Sequence, residues 1–206
     1  MMKLRSALAV VATVCAGVMW VVVVGAIINF LVASGVSATE RRAVYEGRVR
    51  VVDGDTLMIG QDRLRLEGVD APELSQLCML QSRPYRCGHH VAGALKDMIG
   101  RGRVRCVYRD WDPGRLAQQA GRAIVRCEYA GTDLGDWLVS RGLAVPYYTS
   151  QYRSVGMRAC ERNLGLWAGA FTRPASYRRG GDSVNDRLGR ETGRTCDSAL
   201  RRLGAH

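Results

Sequence analysis

The chain has 206 residues, and 30 lysines and arginines against 19 acids leave a net charge of +11. Lysine occurs only at Lys3 and Lys96, so the positive field is almost wholly guanidinium, a group suited to bidentate contact with phosphate. Such a field points to polyanions, nucleic acid or acidic lipid, and away from cationic partners.

Residues 1–6 form a short flank, and no charge occurs between Arg5 and Glu40. The run from Ala7 to Leu31, broken mainly by Thr13 and Asn29, exceeds the roughly 20 apolar residues that span a bilayer. Residues 7–33 are therefore read as a transmembrane anchor or signal segment. The length favours an uncleaved anchor, because a signal peptide's apolar region usually runs to about 7–15 residues. The small residues Gly35 to Ala38, "GVSA", offer a cleavage site for the alternative, a protein secreted after cutting near Ala38. Lys3 and Arg5 argue for an inside amino terminus, although Arg41 and Arg42 flank the other end. The globular part is then extracytoplasmic, joined to the membrane segment by a linker over 34–43.

Seven cysteines are present, and six of them, Cys78, Cys87, Cys106, Cys127, Cys160 and Cys196, follow the apolar segment. An even number beyond an export signal fits disulfides in an oxidising compartment. The nearest pairings are Cys78 with Cys87 and Cys106 with Cys127, although sequence alone does not fix connectivity. The competing reading of "CGHH", Cys87 to His90, as part of a zinc site lacks a second ligand pair at metal spacing.

The segment "VYEGRVRVV", Val44 to Val52, is β-branched and partly alternating, and "TLMI" and "RLRLEGV" follow it between turn residues, which predicts three antiparallel strands. From Cys87 the period changes. Val91, Ala94, Leu95, Met98 and Ile99 recur on one helical face until Gly100 and Gly102. "RVRCVY" and "AIVRCEY", Arg103 to Tyr108 and Ala123 to Tyr129, supply two more strands. "GTDLGDWLVSRGLA" predicts a helix capped by Thr132 or Asp133, burying Leu134, Trp137 and Leu138 and ending at Gly142. A last amphipathic helix lies around Tyr152 to Arg162, with "LGLW", Leu164 to Trp167, closing it, and Trp137 and Trp167 read as core. Beyond Thr172 come eight arginines, four acids and few apolar residues, so 173–206 is expected to be a basic, mobile tail. The order of elements within 44–172 predicts an α+β, mainly β domain: a five-stranded OB-type barrel with about three packed helices.

Four acids, Asp53, Asp55, Asp70 and Glu73, cluster around an arginine-bearing strand in "VVDGDTLMIGQDRLRLEGVDAPE". Asp53 and Gly54 read as a hairpin turn that tolerates positive φ. In "RLRLEGVD" the period of two sends Leu64 and Leu66 into the core and displays Arg63 and Arg65 on the other face. If strand three ends at Asp70 and strand two begins just after Asp55, the two carboxylates meet at one barrel edge. Close carboxylates repel unless a cation or proton lies between them, and calcium takes carboxylate oxygens, carbonyls and water. Pro72 restricts Ala71 to extended backbone, aiming its carbonyl at such an ion and setting Glu73 beside it to hold or deprotonate a water. Carboxylates beside an arginine suit phosphoryl chemistry.

"VDGDT", "RLEGVDAPE", "CGHHVAGAL", "GRAIVRC" and "DLGDWLVSRGLAVPYY" together resemble the thermonuclease, or staphylococcal-nuclease-like, family throughout Val44 to Gly169. The resemblance implies a calcium-dependent phosphodiesterase on an OB-type barrel. It would cut DNA and RNA with little sequence preference by in-line attack of water, leaving 3′-phosphate and 5′-hydroxyl ends. Carried over by position, the metal-binding aspartates are Asp55 and Asp70 and the ligating carbonyl is that of Ala71, where the best-known member has threonine. Glu73 matches the general base or water-orienting residue, Arg65 one phosphate-binding arginine, and Arg122 the second. Where the family usually reads D-x-Y-G-R this chain has "QQAGR", with Ala120 in place of the tyrosine, so Arg115 in "DPGR" competes for that second role. Tyr147 and Tyr148 match tyrosines that pack against bound nucleotide, or alternatively close the barrel.

These readings imply a membrane-associated nuclease with no obligate protein partner. The alternative is a non-catalytic, membrane-anchored barrel that binds nucleic acid or a protein. Retention of the carboxylates and Arg65 favours the enzyme, and the altered "QQAGR" loop favours the alternative. A third reading takes the protein as a basic structural anchor whose tail touches acidic lipid.

Overall fold

The first strand alternates as its sequence dictates, with Tyr45 and Gly47 turned inwards and Glu46, Arg48 and Arg50 outwards. The protein is seen here as a computed structural model that describes residues 44–112, 122–147, 151–181, 187–193 and 195–203. The predicted membrane segment, Arg115, Ala120 and Tyr148 lie outside these residues. Among the described residues no helix is long and apolar enough to cross a membrane.

Strands β1 (Val44–Val51), β2 (Thr56–Ile59) and β3 (Asp62–Leu66) form an antiparallel meander. The two-residue β4 (Val69–Asp70) and the hairpin β5 (Cys78–Leu80) and β6 (Arg83–Tyr85) follow. Helix α1 (Cys87–Ile99) buries Val91, Leu95 and Ile99 at helical spacing and stops at Gly100 with φ +57°. Strands β7 (Arg103–Asp112) and β8 (Arg122–Tyr129) pair with each other, β7 pairs with β1, and β8 runs parallel to β3. That last pairing closes β1, β2, β3, β7 and β8 into a five-stranded barrel, so the mixed α+β architecture predicted from the sequence is present.

The short β9 (Thr132–Asp133) leads into α2 (Leu134–Ser140), where Asp133 is the N-cap and accepts from the N–H groups of Gly135 and Asp136. Strand β10 (Val145–Pro146) pairs with β4, and α3 (Arg153–Glu161) and a 3₁₀ turn over Gly165–Ala168 complete the predicted domain. Trp167 is fully buried as expected, whereas Trp137 is only partly covered and lies under the Arg141 guanidinium, 4.7 Å from the ring centroid.

The carboxy-terminal stretch differs from expectation. Strand β11 (Phe171–Thr172) is followed by α4 (Pro174–Arg178), β12 (Arg187–Leu188), a 3₁₀ turn (Arg190–Thr192) and α5 (Cys196–Leu203). The apolar residues there are few, but they need no core of their own. Leu188, Ala199 and Leu200 enter a cluster with Val145, Leu166, Trp167 and Phe171, distinct from the barrel core. Disulfides join Cys78 to Cys87, Cys106 to Cys127 and Cys160 to Cys196. The first two match the pairings anticipated from proximity; the third ties α5 to α3.

Candidate active site

Strand β3 ends at Leu66, short of the expected Asp70, because Gly68 turns the chain at φ +70° and Asp70 enters the separate strand β4 opposite Val145. The two aspartates nonetheless converge. The N–H of Leu66 donates to the Asp55 carbonyl at 2.9 Å, fixing Asp55 beside the end of β3, and the N–H of Ala71 donates to Asp55 Oδ2 at 3.3 Å.

The turn before β2 is held by Asp53, whose Oδ1 accepts from the N–H of Asp55 at 3.0 Å. Gly54 is required here by space and not by φ, which is not positive. A Cβ at this position would lie 2.6 Å from both Ala71 Cβ and Val91 Cγ1. Gly88, at the start of α1, has a similar task, since any Cβ there would collide with the Glu73 carbonyl. The helix backbone thereby supports the loop that carries Glu73.

Arg65 is not displayed on an open face. Its side chain is 11% exposed, and Nη2 lies 3.2 Å from Asp55 Oδ2 and 3.3 Å from Asp70 Oδ1, bridging two carboxylates that are themselves almost wholly buried. Thr56 donates its hydroxyl to Asp55 Oδ1 at 3.0 Å, and Arg122 Nη1 donates to that hydroxyl at 3.4 Å. Arg122 thus stands at the same barrel end as Arg65. Tyr147 is half-buried, with its N–H bonded to the Gly68 carbonyl, two residues before Asp70.

Three contributors escaped the sequence reading. Arg178, from α4, donates to Glu73 Oε1 at 2.9 Å through Nη1 and pairs with Asp70 Oδ1 at 2.7 Å through Nη2. The N–H of Ala175 donates to Asp70 Oδ2 at 3.0 Å. Gln76, fully buried, accepts from the Glu73 N–H at 3.3 Å and donates to the Thr172 carbonyl at 2.7 Å, lashing the Glu73 loop to the strand that leads into α4. The available signals were Pro174, a favoured first residue of a helix, and a sixth cysteine beyond the apolar segment, at 196, that needed a partner.

Burial raises the Asp70 carboxyl to about 6; Arg178 opposes the rise, Asp55 adds to it and Arg65 opposes it. Burial also lifts Asp53 to about 6, helped by the neighbouring charge of Asp55. For Arg178, burial works against the charged form, but Asp70 and Glu73 outweigh it and hold the guanidinium above its usual range. Carboxyls raised in the fold stabilise it fully below their unfolded value near 3.8, and that contribution is lost as pH rises through about 6. Asp53→Asn keeps the acceptor for the Asp55 N–H and removes the charge. It is expected to stabilise the protein at pH 7.5 by about 1 kcal/mol after solvent screening, with the gain fading towards pH 4. Thermal unfolding across that range checks it, and a gain independent of pH would exclude the charge as its cause.

A cation finds suitable donor chemistry in part. Asp55 and Asp70 supply two buried, converging carboxylates, and Ala71 is tied to Asp55 by its N–H, which puts its carbonyl in the same turn. Among the described residues no group of three or more aspartate, glutamate, histidine or cysteine side chains forms a ready metal cage. Calcium would therefore rest on the two aspartates, a carbonyl and water, in competition with Arg65 and Arg178.

No protein-family model matches the chain. A curated relative, the succinoglycan biosynthesis protein ExoI of Rhizobium meliloti (strain 1021), is 32% identical over 127 residues. The alignment covers 59% of this chain and 63% of that protein, so the chain spans less than two thirds of its relative's length.

Proposed function

We propose that the protein is a calcium-dependent phosphodiesterase of the thermonuclease type, hydrolysing DNA and RNA with low sequence specificity. The observation that carries this reading is the convergence of Asp55, Asp70, Arg65 and Glu73 at one end of a closed barrel, with Arg122 linked to Asp55 through the Thr56 hydroxyl. The closed five-stranded barrel with its helices is compatible with the OB type, which commonly binds oligonucleotides on one face.

Calcium bound by Asp55 and Asp70 would supply charge neutralisation at a non-bridging phosphate oxygen. Arg65 and Arg122 grip the phosphate. Glu73 is 33% exposed, and Arg178 engages its Oε1. Among the described residues Oε2 has no hydrogen-bond partner, which suits it to orienting or deprotonating water. Attack of that water forms a new P–O bond as the bond to the 5′-oxygen breaks; the attacking water's proton passes to Glu73, and the leaving oxygen takes a proton from solvent water to end as a hydroxyl. Three disulfides fit an extracytoplasmic domain, either anchored through residues 7–33 or secreted after cleavage near Ala38.

The name of the relative refers to succinoglycan biosynthesis and specifies no reaction. The deciding experiment incubates the full chain, in mild detergent, with single- and double-stranded DNA and RNA in calcium or chelator, followed by end-group analysis. Calcium-dependent cleavage to 3′-phosphate ends is expected. Retained binding without cleavage would overturn the enzyme reading in favour of the non-catalytic barrel, for which the engagement of Asp70 and Glu73 by Arg178 is the favouring observation.

A further inference from the structure

Arg178 lies more than one hundred residues from the acids it touches, on a segment whose composition suggested a tail. Its place is nevertheless built and not incidental. Thr172 and Phe171 pair with Arg187 and Leu188 across β11 and β12, and the Gln76 side chain holds the Thr172 carbonyl. Tyr177 and Ser75 share a hydroxyl contact at 3.2 Å, so α4 is joined to the Glu73 loop a second time. Beyond β12 the Cys160–Cys196 disulfide fastens the chain covalently to α3. A guanidinium delivered by so many fixed points has little freedom to leave.

From this geometry we propose that Arg178 is a positioning residue for phosphodiester hydrolysis, fixing Glu73 through one oxygen so that the other is presented to water, while bracing Asp70 with its second nitrogen. The inference rests on the hydrolytic reading of the site. Glu73 sits on a loop and is one-third exposed, so without a partner its carboxylate samples several rotamers. The planar fork of arginine spans Glu73 Oε1 and Asp70 Oδ1 at once, which the ammonium of lysine, a point charge on a flexible stem, reproduces only in part. At 23% exposure the Arg178 side chain is sheltered enough for these contacts to count and remains at the rim of the site. The role is exerted through Glu73 and requires no direct contact with substrate.

The test compares the full chain in detergent with Arg178→Gln, Arg178→Lys, Glu73→Gln and the Arg178→Gln/Glu73→Gln double variant on a DNA substrate in calcium. DNA affinity is measured separately in chelator. Arg178→Gln is expected to lower kcat about ten- to hundredfold while KM and DNA affinity stay within about twofold, the size of effect seen when a supporting shell is removed. Lysine should restore part of kcat. The double variant should be no slower than Glu73→Gln alone, because two residues acting as one unit do not add. A kcat for Arg178→Gln within about twofold of the parent, or above it, overturns the proposal, as does full additivity in the double variant. Should the glutamine variant fail to fold, a lysine variant with parental kcat overturns it instead. If the unmodified chain cleaves nothing, the hydrolytic reading falls and this one with it; if it cleaves and the Arg178 variants match it, only this one falls.

Discussion

Arg65→Ala is expected to abolish measurable turnover and to destabilise the fold by about 3–5 kcal/mol at pH 8, because it leaves two buried carboxylates without their shared cation. Asp55 and Asp70 are 4% and 1% exposed, and a single Arg65 nitrogen lies between them. Arg178 still serves Asp70 after the substitution, but Asp55 keeps only neutral donors, the Thr56 hydroxyl and the Ala71 N–H, among the described residues. The pH dependence follows from Asp70. Its carboxyl is already raised to about 6 by burial, with Arg178 and Arg65 pulling it down and Asp55 pushing it up. Loss of Arg65 raises it further, so the variant relieves its strain by taking up a proton as the pH falls, and the deficit is largest above about 6 and shrinks towards pH 5. Unfolding measured at pH 5 and pH 8 tests this: an equal loss at both would mean that Arg65 does not act by neutralising the two acids. Arg65→Lys separates the two tasks. A point charge recovers most of the stability, while kcat remains down by about 10²–10³, the usual cost of removing a donor aimed at developing charge.

The barrel was legible because its information is local. Leu64 and Leu66 alternate with Arg63 and Arg65, and a period of two states which face is buried before any partner strand is known. The helical spacing of Val91, Leu95 and Ile99 and the N-cap at Asp133 are likewise written within a few residues of themselves. Cys106 and Cys127 could be paired because they fall in successive strands, where they prove to be direct cross-strand partners.

What escaped was non-local or depended on supply from elsewhere. Leu188, Ala199 and Leu200 are too few to form a core, and composition counts them as such; their burial depends on Trp167 and Phe171 being presented by the preceding domain. Arg178 has no local pattern to distinguish it from Arg179, its neighbour, and only the fold of β11 and α4 sends it to Glu73. The placement of Asp70 in β4, opposite Val145, turns on Gly68, whose positive φ ends β3 earlier than the apolar pattern suggested. Gly54 shows the converse. The turn was recognised, but its glycine answers to the nearness of Ala71 and Val91, which no dipeptide rule contains.

The sharpest separation of chemistry from architecture comes from Glu73→Gln. Glutamine keeps an oxygen that accepts from Arg178 Nη1, and the Glu73 main chain remains held by Gln76, whose N–H donates to the Glu73 carbonyl at 2.8 Å and whose side chain accepts the Glu73 N–H. With the side chain 33% exposed, the exchange buries no new polar group and the midpoint of unfolding is expected to stay within a few degrees of the parent. What is lost is the negative charge and the ability to take a proton from water. A group in that role contributes about 10²–10⁴ in rate, so kcat is expected to fall by that factor with KM little changed, since the proposed reading assigns the grip on phosphate to Arg65 and Arg122. Aspartate, one methylene shorter, restores the charge but not the reach and is expected to recover only part of the loss. Steady-state kinetics of the three proteins in calcium decide the matter. If glutamine at 73 cleaves DNA within about threefold of the parent rate, Glu73 neither directs nor deprotonates the attacking water and that role must pass to another group at the barrel end.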